Sequence, residues 1–130
     1  LVGGEIAKEI SNIKYQISNR EKVVVAAVTP DGKDISDEST GKFREIIATA
    51  KTVVWNGPMG VFEEGFEAGS TQVAQAIIES GAYSVVGGGE TTQFLGAKGL
   101  LGRFSFVSSG GGAMLEFLAG KKLAALAALD

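Results

Sequence analysis

Ser84-Val85-Val86-Gly87-Gly88-Gly89-Glu90-Thr91-Thr92 is an apolar run that ends in glycines, an acid and two hydroxyls, and passes into a helical pattern from Gln93. A strand that turns straight into a helix leaves the first helical N–H groups unpaired and pointing one way. The helix dipole adds partial positive charge there, so such a corner suits a phosphate. Glycine lets the backbone come close to a ligand, because no side chain stands between. The design recurs about twenty residues on, where Phe104-Ser105-Phe106-Val107 runs into Ser108-Ser109-Gly110-Gly111-Gly112-Ala113.

Working outward, apolar runs alternate with amphipathic segments. Ile6, Ile10, Ile13 and Ile17 recur at helical spacing, which predicts a helix over residues 5–15. Val23-Val24-Val25-Ala26-Ala27-Val28 reads as a strand buried on both faces. Thr29-Pro30-Asp31-Gly32 is turn chemistry. Phe43, Ile46, Ile47 and Ala50 share one helical face, with Ser39 or Thr40 as the expected cap. Thr52-Val53-Val54-Trp55 is the next strand, closed by Asn56-Gly57-Pro58. A helix is expected over residues 71–80, stopped by Gly81, then a strand over 83–86 and a helix over 92–100. A strand over 104–107 and a helix over 113–119 follow, the latter stopped by Gly120. The Ala/Leu tail from Leu123 is either a last helical turn or a strap on a neighbour.

This alternation predicts an α/β fold, a doubly wound, Rossmann-like parallel sheet with helices on both faces. Ligands of such sheets sit beyond the C-terminal strand ends. Three strands end in glycine-bearing loops, at Asn56, Gly87 and Gly110, and that convergence is the functional signal.

Composition narrows the chemistry. The 130 residues include no cysteine and no histidine, which excludes disulfides, thiolate metal sites and His-based catalysis. A net charge of −3 gives no electrostatic reason to expect nucleic acid. No apolar run approaches a membrane span and no signal-peptide pattern opens the chain, so a soluble, cytoplasmic protein is expected. The chain opens on Leu1-Val2-Gly3-Gly4, which reads as the end of another strand, so it is taken to be cut from something longer.

Each candidate has a plainer reading beside it. One GGG loop alone is a tight turn; two, each opening a helix, favour phosphate. Neither is a dinucleotide fingerprint, because the final glycine is missing from both, and no Walker A sequence is present. An unrelated dehydrogenase is therefore disfavoured. Glu90 at a helix start is a favourable charge at the dipole, or a magnesium contact through a bound nucleotide. Glu63 is a surface acid or an acceptor for ribose hydroxyls. Trp55, Phe62 and Phe66 read as packing, with the flank of an adenine as the alternative for Phe62 or Phe66.

Trp55-Asn56-Gly57-Pro58-Met59-Gly60-Val61-Phe62-Glu63 is a family-specific segment. With it the chain closely resembles phosphoglycerate kinase. The likeness continues through Ala68-Gly69-Ser70, Val85 to Thr91, Val107 to Ala113 and Leu115-Glu116, and reaches back through Lys33-Asp34-Ile35 and Ala50-Lys51-Thr52. It implies that residues 1–130 are the C-terminal part of a nucleotide-binding lobe, with the N-terminal substrate lobe absent from this chain. It implies phosphoryl transfer between 1,3-bisphosphoglycerate and Mg-ADP, giving 3-phosphoglycerate and Mg-ATP in glycolysis, by a full-length monomer. Asn56, Gly57, Pro58 and Gly60 would line the nucleotide side and Glu63 would hold the ribose. Gly87, Gly88, Gly89 and Thr91 would contact its phosphates, with Glu90 at Mg²⁺. Gly89 and Gly110, Gly111 and Gly112 would serve the phosphoryl group in flight. The family usually has aspartate at position 90 and commonly threonine at 109, and a Pro-Gly pair where Leu123-Ala124-Ala125 stands. With few cations near its loops, this chain alone is expected to bind nucleotide weakly and turn over nothing. A non-catalytic nucleotide-binding module is the competing reading.

Overall fold

The structure is a computed structural model, and it describes residues 1–4, 6, 7, 9 and 22–128. Most of the helix expected over residues 5–15 lies outside the described residues. The chain divides into two compact units, Leu1–Val53 with Pro58–Ala82, and Val54–Gly57 with Tyr83–Asp130.

In the first unit, helix α1 (Asp37–Thr49) packs against helix α2 (Ala68–Ser80). The cap of α1 is Ser36, not Ser39 or Thr40. Its hydroxyl accepts the Ser39 amide at 3.3 Å, and Asp37 and Glu38 set negative charge against the helix dipole. Ser39 and Thr40 are instead buried inside the first turn, where the Ser39 hydroxyl accepts the Ala27 amide at 2.8 Å. Phe43 and Ile47 form the buried face of α1, whereas Ile46 is 40% exposed and Ala50 already lies beyond the helix. From α2 come Val73, Ala74, Ala76 and Ile77, all buried. Fully burying a side chain of the Phe or Ile size contributes about 1.5–3 kcal/mol, so Phe43 and Ile77 dominate this contact. Arg44 and Glu79 link the two helices at the surface at 2.6 Å.

Helix α2 begins three residues before the expected start, and side chains from elsewhere in the unit explain why. The Asp34 carboxylate accepts the Gly69 amide at 3.0 Å, and the Ser70 hydroxyl accepts the Met59 amide at 2.8 Å. Both tie the first turn down. Gly81 ends the helix as expected.

Residues 23–28 depart from the expected buried strand. Among the described residues they pair only through single bridges, Val25 with Val2 in parallel and Val28 with Ile35 antiparallel. Only Ala26 among them is buried. A strand is made by neighbours as much as by its own residues, and the described residues supply one partner on each side.

The sheet consists of strands β1 (Thr52–Asn56), β2 (Tyr83–Gly87) and β3 (Phe106–Ser108), in the order β1-β2-β3. The α/β class with parallel strands is as expected. β2 and β3 run parallel, with Val85 opposite Phe106, Val86 opposite Val107 and Gly87 opposite Ser108. Below that register the two serines exchange bonds. The Ser84 amide donates to the Ser105 hydroxyl at 3.0 Å, and the Ser105 amide to the Ser84 hydroxyl at 3.1 Å.

β3 starts two residues late. Phe104 closes a short 3₁₀ turn (Leu101–Arg103), and its buried ring stands 6.4 Å from the Trp55 ring, tilted 45°. Helices α3 (Gly89–Ala97) and α4 (Gly111–Leu118) each begin earlier than their apolar patterns suggest, because the glycines themselves form the first turns. Phe94 and Leu95 anchor α3 in the core. The tail forms one helical turn, α5 (Ala124–Ala127).

Candidate functional site

In the second unit the three strand ends meet. Asn56 closes β1, Gly87 closes β2, and β3 ends at Ser108 just before Gly110. The Asn56 side-chain amide donates to the Gly111 carbonyl at 3.3 Å. A β-carbon placed on Gly111 would come within 2.6 Å of the Gly88 Cα and 2.9 Å of Asn56 Nδ2. Real side chains do not make such contacts, so glycine at 111 is what lets α4 start against the β2 corner. Gly88 holds φ +92°, a region that favours glycine, and turns the chain from strand into helix.

Both helices therefore open beside one another, each from a residue without a side chain. The first intrahelical bonds are Thr92 N–H to Gly88 O at 3.0 Å and Met114 N–H to Gly110 O at 2.8 Å. The amides of Gly89, Glu90 and Thr91, and of Gly111, Gly112 and Ala113, precede those bonds and are not used by the helices. Space for a β-carbon is open at Gly89 and Gly112, and both residues are exposed. Two helix starts with amides outside the helical ladder are the kind of surface that suits an anion.

Three expected site residues have duties inside the fold. Thr91 is fully buried, and its hydroxyl accepts the Gly57 amide at 2.8 Å. Its side chain fixes Gly57, at φ +92°. Gly87 is buried, with space for a β-carbon already filled by Met114 and Ser108. Gly60 lies in the first unit against the Phe66 carbonyl and the Asp34 carboxylate, which accounts for its lack of a side chain. Trp55 is core, as expected. It is 4% exposed, and its indole N–H donates to the Gly57 carbonyl at 2.7 Å.

Pro58, Gly60 and Glu63 belong to the first unit. Glu63 stands exposed in a 3₁₀ turn (Phe62–Glu64). Its neighbour Glu64 pairs with Lys33 at 2.5 Å, and the same ammonium lies 4.9 Å over the Phe66 ring. Hydrogen bonding to Glu64 raises the Lys33 pKa. In the second unit, Lys121 lies 3.7 Å from Glu116 at the end of α4.

Glu90 is exposed in the first turn of α3. No group of three or more potential metal-binding side chains occurs among the described residues. One exposed carboxylate beside open amides suits a Mg²⁺ carried in on phosphate oxygens, which needs only one or two protein carboxylates. It does not suit a metal caged by protein alone.

The sequence pattern that describes phosphoglycerate kinase matches residues 3–121. The chain belongs to the phosphoglycerate kinase family. It is 48% identical over 110 residues to the phosphoglycerate kinase of Solibacter usitatus, covering 82% of this chain and 28% of that protein. Against the phosphoglycerate kinase of Rhodococcus opacus it is 50% identical over 124 residues, covering 89% and 31%. Its fold is similar to the crystal structure of phosphoglycerate kinase from Pyrococcus horikoshii, with TM-score 0.68 and 46% identity over 75% of this chain and 24% of that one. The phosphoglycerate kinase from Coxiella burnetii gives TM-score 0.64 and 46% identity over 68% and 23%. The chain thus spans about three tenths of the length of the curated family members it matches.

Asp34 and Ser105 are among the residues whose roles the sequence did not single out. No composition or periodicity marks either, since each acts through a bond to a residue far along the chain.

Proposed function

We propose that this chain is the C-terminal part of the nucleotide-binding lobe of a phosphoglycerate kinase, and that its glycine corners hold the phosphates of Mg-ADP and Mg-ATP. The observation that carries the reading is the contact of Gly111 with Gly88 and Asn56, which sets two open helix starts side by side. Family membership adds the reaction. A β-phosphate oxygen of ADP attacks the phosphorus of the acyl phosphate of 1,3-bisphosphoglycerate. The bond from that phosphorus to the carboxyl oxygen breaks, and 3-phosphoglycerate leaves with the electron pair.

Such a transfer asks the protein for position and charge stabilisation, not covalent chemistry. In this reading the amides at Gly88 and Gly89 take nucleotide phosphate oxygens. Those at Gly110, Gly111 and Gly112 meet the charge that develops on the moving phosphoryl group. Glu90 would hold the Mg²⁺ that the nucleotide carries, and Glu63 would accept from ribose hydroxyls. Asn56 and Thr91 hold the corners in place. The setting is cytoplasmic glycolysis, and the whole protein acts as a monomer. Among the described residues no helix is long and apolar enough to cross a membrane.

Titration calorimetry with Mg-ADP tests the reading directly. Weak, saturable binding that magnesium strengthens is expected. No binding at millimolar Mg-ADP would overturn it. A coupled ATP-forming assay on the same chain should register no turnover, because catalysis also needs a substrate lobe; clear turnover would place the active cations within these residues.

A further inference from the structure

We propose that Asn56-Gly57 is a deamidation site held unreactive by the Thr91 hydroxyl, and that its modification disables the glycine corners. Of the chain's asparagines, Asn12, Asn19 and Asn56, only Asn56 precedes a glycine. The peptide nitrogen of glycine is the least hindered of its kind, because no side chain flanks it. Asn56 and Gly57 are both half-buried, so water and hydroxide can reach them.

The step is an intramolecular substitution. Hydroxide takes the Gly57 N–H proton, and the nitrogen lone pair attacks the Asn56 Cγ. The N–Cγ bond forms, the Cγ–Nδ2 bond breaks, and Nδ2 leaves as ammonia with a proton from water. Water then opens the cyclic imide at either carbonyl, leaving aspartate or isoaspartate at position 56.

The fold holds back each part of that step, with groups that all belong to the second unit. The N–H that must be lost donates to the Thr91 hydroxyl at 2.8 Å, and Thr91 is fully buried. The leaving Nδ2 donates to the Gly111 carbonyl at 3.3 Å. A β-carbon on Gly88 would come within 3.1 Å of Asn56 Oδ1 and 3.4 Å of its Cγ, so backbone already stands against the carboxamide. Asn56 closes β1, and its extended backbone keeps the Gly57 nitrogen away from the side chain. Reaction therefore waits on local opening of this corner.

The consequence rests on the nucleotide reading above. Aspartate at 56 loses the donor to the Gly111 carbonyl and sets a negative charge beside the start of α4, where it repels a phosphate. Isoaspartate also adds a methylene to the main chain at the end of β1.

The test incubates the full chain in mildly alkaline buffer and follows conversion of Asn56 by peptide mass spectrometry. The folded parent should convert at least about tenfold more slowly than the urea-unfolded chain, because only the opened fraction reacts. Thr91→Val should speed conversion about tenfold, the scale of one hydrogen bond, and Thr91→Ser should stay near the parent rate. Val86→Ala removes core volume from the same unit but keeps the Thr91 hydroxyl, so it should accelerate conversion less. Equal acceleration in Thr91→Val and Val86→Ala, or a folded parent as fast as the unfolded chain, would overturn the proposal. If Thr91→Val fails to fold by circular dichroism, amide hydrogen exchange of the parent decides. Strong protection at Gly57 is expected there, and exchange at the unfolded rate would sink the guarding role. Asn56→Asp should weaken Mg-pyrophosphate, a probe that asks only for the corners, about tenfold. Undiminished binding would overturn the functional consequence. A parent that does not bind this probe would remove the nucleotide reading, whereas the conversion rates are read without any ligand.

Discussion

The Thr91 hydroxyl accepts the Gly57 amide at 2.8 Å, joining the first turn of α3 to the loop that follows β1. Thr91 is wholly buried, so no water stands ready to replace that bond. Thr91→Val keeps the volume and removes the acceptor. It should lower unfolding free energy by about 1–3 kcal/mol in urea, with Thr91→Ser much closer to the parent. Equal losses in the two variants would show that packing, not the hydroxyl, matters there.

Gly111 and Gly112 are neighbours with opposite surroundings. Gly111→Ala drives a methyl group into the Gly88 backbone, whereas a methyl at 112 meets open space. Gly111→Ala should cost at least about 1–3 kcal/mol and abolish Mg-ADP binding. Gly112→Ala sits in a helix and should raise stability by about 0.5–1 kcal/mol. Thermal melts of the pair read out both signs.

Glu90 contributes through the metal in the proposed function. Calorimetry should therefore show Glu90→Ala weakening Mg-ADP while leaving metal-free ADP unchanged or slightly tighter. Glu90→Asp shortens the side chain by one methylene and should retain most of the magnesium effect. A loss for Glu90→Ala that persists in chelator would assign the residue to something other than Mg²⁺.

The Glu38–Lys42 pair, at 2.7 Å on α1, sets a pH signature. Hydrogen bonding to Lys42 lowers the Glu38 pKa. The pair's contribution is thus complete above the ordinary glutamate value, ~4.3, and disappears as pH falls below it through the depressed folded value. Lys42→Ala should flatten that part of the acid limb of a stability-against-pH curve. Because both side chains are exposed, 1 M salt should erase the difference.

How much of this was legible beforehand depends on the range of the interaction. The strands at 52–56 and 83–87, and the glycine corners after them, announce themselves through local apolar runs and turn residues. Residues 23–28 carry the same pattern, yet among the described residues they find only Val2 and Ile35 as bridge partners, because composition records a wish for burial and not who is there to provide it. Apolar spacing sets the helix starts late because it is silent through Gly89 and Gly111. The interior duties of Thr91 and Asp34 were beyond reach for another reason. Their bonds span 34 and 35 residues and leave no periodic trace.

The paired serines below β2 and β3 have a consequence for assembly. β3 is three residues long, and Phe106 and Val107 are 55% and 38% exposed, so burial says little about how it should slide against its neighbour. Ser84 and Ser105 answer that question with two reciprocal bonds that a one-residue slip would break. The seam behaves like a key cut for one lock: a foreign strand laid along β2 meets a toothed edge, and only the chain's own β3 turns it.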